Sequence, residues 1–235
     1  MSKIIMLAPF LDSSPLTEFA RKEFRHLPDL TVVGTDTGLD VVTHYHHIEH
    51  NLGPILDKAA EIEKQGDCDA LIIGCFGDPG LTAVRQVTSM PVLGTGETSL
   101  SVAAILGDKV GIVVPQKDFI YATEKMIRAY QFADHVVAVR SAEEFVPESI
   151  LTRPEESMAK MADACLRVIH EHDADVLIFG CIGFSWMVSQ VRELIAKEGL
   201  STPMIEPGVT AYRAAKMVVE LGLNQDRRKL TVDFF

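Results

Sequence analysis

What the chain lacks narrows its function before any motif is considered. Its 235 residues hold four cysteines, at 68, 75, 165 and 181, with no CxxC spacing and no disulfide-framework density. A reducing cytoplasm is the setting this implies. No basic run or stripe occurs, and the formal net charge is -11, so a nucleic-acid partner is excluded for want of a phosphate-binding face. No stretch nears the roughly 18 apolar residues that span a bilayer, so no membrane association is expected. The apolar run after Met1 is too short for a signal peptide. Low-complexity tracts and a disordered linker are also missing. Against these absences stand 47% hydrophobic and 23% charged residues, an ordinary globular balance with enough chain for a substantial core.

The chain repeats itself. Asp69-Ala70-Leu71-Ile72-Ile73-Gly74-Cys75-Phe76-Gly77 matches Asp175-Val176-Leu177-Ile178-Phe179-Gly180-Cys181-Ile182-Gly183 at six of nine positions, an offset of 106 residues. Lys3 to Pro9 aligns with Lys109 to Pro115 at the same offset. Met90-Pro91-Val92-Leu93 aligns with Thr202-Pro203-Met204-Ile205 at an offset of 112, as a short insertion in the second half would produce. Three matches in one order indicate an internal duplication.

Short apolar runs at 3–9, 70–74, 110–114 and 176–179 read as strands buried on both faces. Helical patterns cover 15–26, 53–65, 117–131, 155–172, 186–198 and 209–221, the first opened by Ser13-Ser14-Pro15. Such alternation implies right-handed crossovers and parallel sheets. The expected fold is α/β with two pseudo-symmetric lobes, each a parallel sheet flanked by helices, and the active site in the cleft between them. Residues 1–97 with 208–235 would form the first lobe and 98–207 the second, joined by a tight hinge near 94–100.

Ligands of parallel α/β sheets sit beyond the carboxyl ends of the strands. Cys75 and Cys181 each follow an apolar strand and stand at that edge. A pseudo-twofold axis would put their sulfurs on opposite sides of one cleft, which suits a planar carbanion attacked from either face. One thiolate would then be the base and the other thiol the acid, with roles exchanged for the opposite enantiomer. The following helix N-terminus is expected to favour the thiolate by about one pKa unit, and amides near Gly77-Asp78 and Gly183-Phe184 to bind the developing enolate oxygen. A buried structural thiol is the bland alternative, but a reactive residue at equivalent positions of diverged halves is hard to explain by packing. Cys68 and Cys165 lack this symmetry and read as structural.

At these residues the chain resembles the aspartate/glutamate/hydantoin racemase superfamily, most closely its hydantoin racemase branch. The resemblance rests on Gly74-Cys75-Phe76-Gly77-Asp78-Pro79-Gly80-Leu81, Gly94-Thr95-Gly96-Glu97 and Gly180-Cys181-Ile182-Gly183, and runs along nearly the whole chain. It implies racemisation or epimerisation at a carbon alpha to a carbonyl, a small-molecule substrate, no cofactor, homo-oligomers, and Cys75 and Cys181 as the acid/base pair. The chain departs from the usual pattern at Ala8-Pro9-Phe10-Leu11, at Ile182-Gly183-Phe184 and at Glu206-Pro207-Gly208. These departures lie where substrate would be held, so the substrate stays open, and Phe10 and Phe184 suggest a less polar pocket. Pro9, Phe10, Tyr45, Phe76, Gly77, Asp78, Thr95, Ile182, Gly183, Phe184 and Glu206 are the expected substrate-binding residues.

Other motifs carry bland readings. Asp78-Pro79-Gly80 reads as a helix cap with a first-turn proline. Gly94-Thr95-Gly96-Glu97-Thr98-Ser99 lacks a Walker lysine and a third fingerprint glycine, and reads as a tight turn. Thr43 to His50 holds His46 and His50 at i,i+4 spacing but no HExxH, so a loop closing over the site is expected rather than a metal site. Trp186 and the methionines read as core. Competing functions are an arylmalonate-type decarboxylase, a maleate-type isomerase, a non-catalytic two-lobed binding protein, and a thiol hydrolase, which neither cysteine motif supplies with an activating histidine.

Overall fold

A computed structural model describes residues 3–142, 151–152 and 155–226. Parts of both expected lobes, at 1–2, 143–150, 153–154 and 227–235, lie outside the described residues. The first sheet is built from β1 (Ile4–Leu11), β2 (Leu30–Thr35), β3 (Ala70–Ile73) and β4 (Val92–Gly94). The second is built from β5 (Val110–Val114), β6 (Val136–Ser141), β7 (Val176–Phe179) and β8 (Met204–Ile205). Every pairing is parallel, and the orders β2-β1-β3-β4 and β6-β5-β7-β8 are the same topology twice.

The described helices are α1 (Pro15–Phe24), α2 (Tyr45–His50), α3 (Leu52–Gln65), α4 (Leu81–Val87), α5 (Thr95–Leu106), α6 (Asp118–Ala129), α7 (Glu155–His172), α8 (Val188–Lys197) and α9 (Pro207–Glu220), with a 3-10 turn at Ile182–Met187. The described residues of 3–42, 46–95 and 208–226 group into one compact unit, and those of 43–45 with 96–207 into another. In the first, the Tyr212 hydroxyl of α9 donates to the Pro28 carbonyl at 2.6 Å, and Lys216 pairs with Asp29 at 3.1 Å.

Central strands β3 and β7 are wholly buried, which is why they read as continuous apolar runs. Among the described residues, seventeen form one buried cluster of the second unit, including Met161, Cys165, Val168, Leu177, Phe179, Phe184 and Val191. The duplication reaches individual bonds. Lys3 pairs with Asp67 as Lys109 does with Asp173. The Asp69 N–H donates to the Lys3 carbonyl at 2.8 Å, and the Asp175 N–H to the Lys109 carbonyl at 3.0 Å.

Four local expectations are corrected. Residues 95–99 are not a turn but the start of α5, whose Thr95, Ser99, Leu100 and Ala103 are buried. Burial holds a helix that its one glycine and several hydroxyl residues disfavour. Residues 45–50 are α2 rather than loop. The expected helix at 186–198 is split into the 3-10 turn and α8. Among the methionines, Met217 is 55% exposed on α9 instead of lying in the core.

Burial pushes the Cys165 thiol up to about 12. The folded protein therefore keeps a proton that the unfolded chain loses near pH 9, and stability should fall as pH rises from 9 towards 12. The slope contributed by this one group is about 1.4 kcal/mol per pH unit. Urea midpoints measured from pH 8 to 11 should fall less steeply in Cys165→Ala, whatever its starting stability; parallel slopes would contradict the account.

Candidate active site

Each cysteine is set by a glycine. The Gly74 N–H donates to the Leu7 carbonyl at 2.8 Å and the Gly180 N–H to the Val113 carbonyl at 2.7 Å, the last rungs tying β3 to β1 and β7 to β5. Neither position has room for a side chain. A Cβ at Gly74 would lie 2.9 Å from Met6 Cγ and 3.1 Å from the Leu7 oxygen. One at Gly180 would lie 2.7 Å from Val114 Cγ1 and 3.0 Å from the Val113 oxygen. The chain passes tightly over the central strand and releases the cysteine just beyond the sheet's carboxyl edge.

The two turns then close alike. The Asp78 N–H donates to the Cys75 carbonyl at 2.9 Å, and the Phe184 N–H to the Cys181 carbonyl at 3.2 Å. Cys75 and Cys181 both keep partial exposure, whereas Cys165 is buried. Cys181 caps the 3-10 turn, its Sγ accepting from the Gly183 N–H at 3.3 Å. An acid/base sulfur needs this combination of a fixed backbone, a nearby amide and access for a small molecule.

At Cys181, burial works against the expected helix-terminus effect. Burial dominates and pushes the thiol up to about 11, the Gly183 amide opposes it, and the Glu206 carboxylate adds to it. Protein atoms surround the sulfur although the residue retains some accessible surface, and one amide does not make up for the lost water. That shift favours the thiol form of Cys181 at neutral pH. Cys68, expected to be structural, is likewise pushed up to about 11, chiefly by burial, and its Sγ donates to the Ala70 carbonyl at 3.1 Å.

The other expected site residues are placed as follows within their own units. Pro9 is buried at the end of β1, its carbonyl accepting from Asn51 Nδ2 at 2.7 Å, and Phe10 beside it is half-buried. Phe76 is buried, Gly77 is exposed, and Asp78 is buried with φ of 46°. Asp78 does not cap α4: that position belongs to Gly80, in the left-handed region at φ 71°, with no side-chain cap bond. Thr95 is fully buried.

In the second unit, Ile182 and Gly183 are buried, and Phe184 is sealed against Phe179 with ring centroids 6.5 Å apart. Glu206 is half-buried directly after β8. The Tyr45 hydroxyl accepts from Lys125 Nζ at 3.1 Å, and His44 lies 3.4 Å from Asp118. Asn51 and Lys125 are polar partners of expected site residues that sequence reasoning passed over. Asn51 follows the histidine run directly and carried no pattern of its own.

Among the described residues, no group of three or more His, Cys, Asp or Glu side chains could hold a metal ion, and no helix is long and apolar enough to cross a membrane.

Comparison with known proteins agrees with this architecture. The family model described as Asp/Glu/Hydantoin racemase matches residues 16–215. Hydantoin racemase of Pseudomonas sp. (strain NS671) is 25% identical over 213 residues, 89% of this chain and 82% of that protein. Hydantoin racemase of Paenarthrobacter aurescens is 26% identical over 172 residues, 72% of this chain and 69% of that protein. The crystal structure of allantoin racemase from Pseudomonas fluorescens superimposes with a TM-score of 0.86 at 19% identity, covering 99% of this chain and 98% of that one, a likeness of fold.

Proposed function

Because the chain belongs to the Asp/Glu/hydantoin racemase family, and is an isomerase of that racemase type, we propose that it inverts a stereocentre alpha to a carbonyl in a small hydantoin-type substrate. Cys75 and Cys181 are the acid and base. One sulfur removes the proton from its face of the carbon, the electron pair moves onto the carbonyl as an enolate, and the other sulfur delivers a proton to the opposite face. The product has inverted configuration, and the two thiols have exchanged protonation states. Both proton transfers are assigned to sulfur, so the reading calls for no metal or organic cofactor.

The observation that carries this reading is the repeated turn. Two glycine-cysteine pairs stand at equivalent carboxyl edges with the same closing hydrogen bonds, although the halves have diverged elsewhere. Packing alone asks for no sulfur there. The amide that follows Cys75, at Gly77, is assigned to the enolate oxygen as it gains charge, while the Gly183 amide stays with the Cys181 sulfur. Incubation with single-enantiomer 5-substituted hydantoins, allantoin and acidic amino acids, followed by optical rotation, tests the reading. Decay of rotation to zero with a hydantoin supports it; unchanged rotation across the whole panel would sink the substrate class.

The raised Cys181 thiol gives a pH test of its own. In Cys75→Ser, Cys181 is the sole remaining sulfur base, and its thiolate fraction grows about tenfold per pH unit below 11. Hydrogen exchange at the stereocentre by this variant should climb with that slope from pH 7 to 10. A flat profile would show that Cys181 is already ionised or takes no part.

A further inference from the structure

Asn51 stands between α2 and α3, at the N-cap of α3, where an asparagine ordinarily turns its side chain back to the amides of the helix it opens. Here it makes no such bond. The side chain is fully buried, and both of its polar ends are committed elsewhere. Its Nδ2 donates to the Pro9 carbonyl at 2.7 Å, and its Oδ1 accepts from the Leu39 N–H at 3.0 Å. The Leu39 carbonyl in turn accepts from the Leu11 N–H at 3.2 Å. One amide thus ties together the exit of β1, the 38–40 loop and the α2–α3 junction. The backbone makes room for it at Gly38, which lies at φ 111° and where a Cβ would stand 2.8 Å from Oδ1.

This junction lies beside the Cys75 turn. Pro9 is two residues past Leu7, as Cys75 is two past Ile73, and Leu7 and Ile73 are register partners. The residues flanking Asn51 rest on the turn itself. A Cβ at Gly77 would meet Ile48 Cδ1 at 3.8 Å, and one at Gly80 would meet Leu52 Cδ2 at 3.6 Å. Gly77 is exposed and Ile48 half-buried. An apolar side chain with free surface therefore lies at the residue whose amide is assigned to the enolate oxygen.

The duplication shows that the fold itself does not need this amide. The 106-residue offset carries the buried face of α3, Ile55, Ala59 and Ile62, onto Met161, Cys165 and Val168 of α7. It sets Ser157 at the place of Asn51 and Pro115 at that of Pro9. A serine hydroxyl is shorter and has a single proton to donate, yet the second unit builds the same sheet topology with it.

We propose that Asn51 is a positioning residue for the racemase site, holding Pro9 and Ile48 in fixed places around the Cys75 turn so that substrate meets a preformed wall. The inference rests on the two-cysteine reading above. Position 51 must offer a donor to the Pro9 carbonyl and an acceptor to the Leu39 N–H, which an amide does. An aspartate of the same shape keeps the acceptor but turns a second oxygen on that carbonyl.

The first test uses no substrate. Hydrogen exchange of the full-length protein is followed by mass. Peptides spanning 36–50 should exchange about tenfold faster in Asn51→Asp, as loss of one buried hydrogen bond implies. Gly38→Ala, which drives a Cβ against the same amide, should do likewise, while peptides of β3 keep their wild-type rates. The second test reads turnover of a 5-substituted hydantoin at a temperature where every variant is folded. KM should rise about tenfold in Asn51→Asp and in Ile48→Ala, the scale of one lost apolar contact, with kcat changed less than about threefold. The double variant should add little to either single change.

A merely structural role would lower the fraction of active enzyme, and so kcat at unchanged KM; that result overturns the proposal. Unchanged exchange at 36–50 overturns it too, as do KM effects of the two changes that multiply. Absence of wild-type turnover counts against the racemase reading, whereas the exchange rates decide on Asn51 in either case.

Discussion

Cys75→Ser and Cys181→Ser should each lose racemisation by about a hundred- to ten-thousandfold, the range that positioned acid/base groups contribute. A serine hydroxyl fills the space and can still hydrogen-bond, but it is a far weaker base and a poor proton donor. The loss should therefore appear in kcat more than in KM. The two variants should also differ from one another in a way that a structural defect would not produce. Each retains one sulfur and so one face of the carbon. In D2O, each should slowly exchange the proton of one enantiomer without inverting it, and the two should choose opposite enantiomers. Near-normal racemisation by either serine variant would remove that cysteine from the mechanism. Exchange of the same enantiomer by both would show that the sulfurs do not serve opposite faces.

Gly180→Ala should damage activity strongly. Its Cβ would stand 2.7 Å from Val114 Cγ1 and 3.0 Å from the Val113 carbonyl oxygen. That oxygen is a backbone atom of β5 with no freedom to withdraw, so the end of β7 must lift and carry Cys181 with it. Overpacking of this kind costs about 1–3 kcal/mol of stability. A displacement approaching 1 Å costs on the order of a hundredfold in rate. At Gly74 the nearest atom is Met6 Cγ, on a flexible side chain, with the Leu7 oxygen at 3.1 Å. Gly74→Ala should therefore be milder in both respects. Measuring kcat/KM beside the thermal midpoint separates the effects: activity should fall much further than stability in Gly180→Ala. Wild-type kcat in a folded Gly180→Ala would show that the glycine does not set the sulfur's position.

The fold was legible because the duplication left its mark on strands, where buried residues are few in kind. Asp69–Gly77 and Asp175–Gly183 carry the central strand and cysteine turn of each unit, and one offset gave the sheets, their parallel sense and the cysteines' place at the carboxyl edge. Helix α5 was hidden because Gly96 and the Thr and Ser residues around it are weak helix formers, and what holds it is burial of Leu100 and Ala103. Helix α2 was hidden likewise, its histidines and tyrosine giving no clear apolar periodicity. Asp-Pro-Gly reads locally as a cap, yet Asp78 is turned away towards Gly94 and Gly80 takes the capping position. The ionisation of Cys181 was out of reach. A helix-terminus argument can be made from sequence, but the burial that outweighs it depends on packing around the sulfur.

The central claim is that a carbon-bound proton is removed by one cysteine and replaced by another. The direct measurement is wild-type enzyme with one enantiomer of a 5-substituted hydantoin in D2O, followed by NMR for loss of the stereocentre proton and by chiral separation for product. The account predicts that the product enantiomer carries deuterium from its first appearance, while recovered substrate stays largely protonated at early times. Product formed with its original proton retained at that carbon would contradict it, because a single group returning the same proton needs no second cysteine.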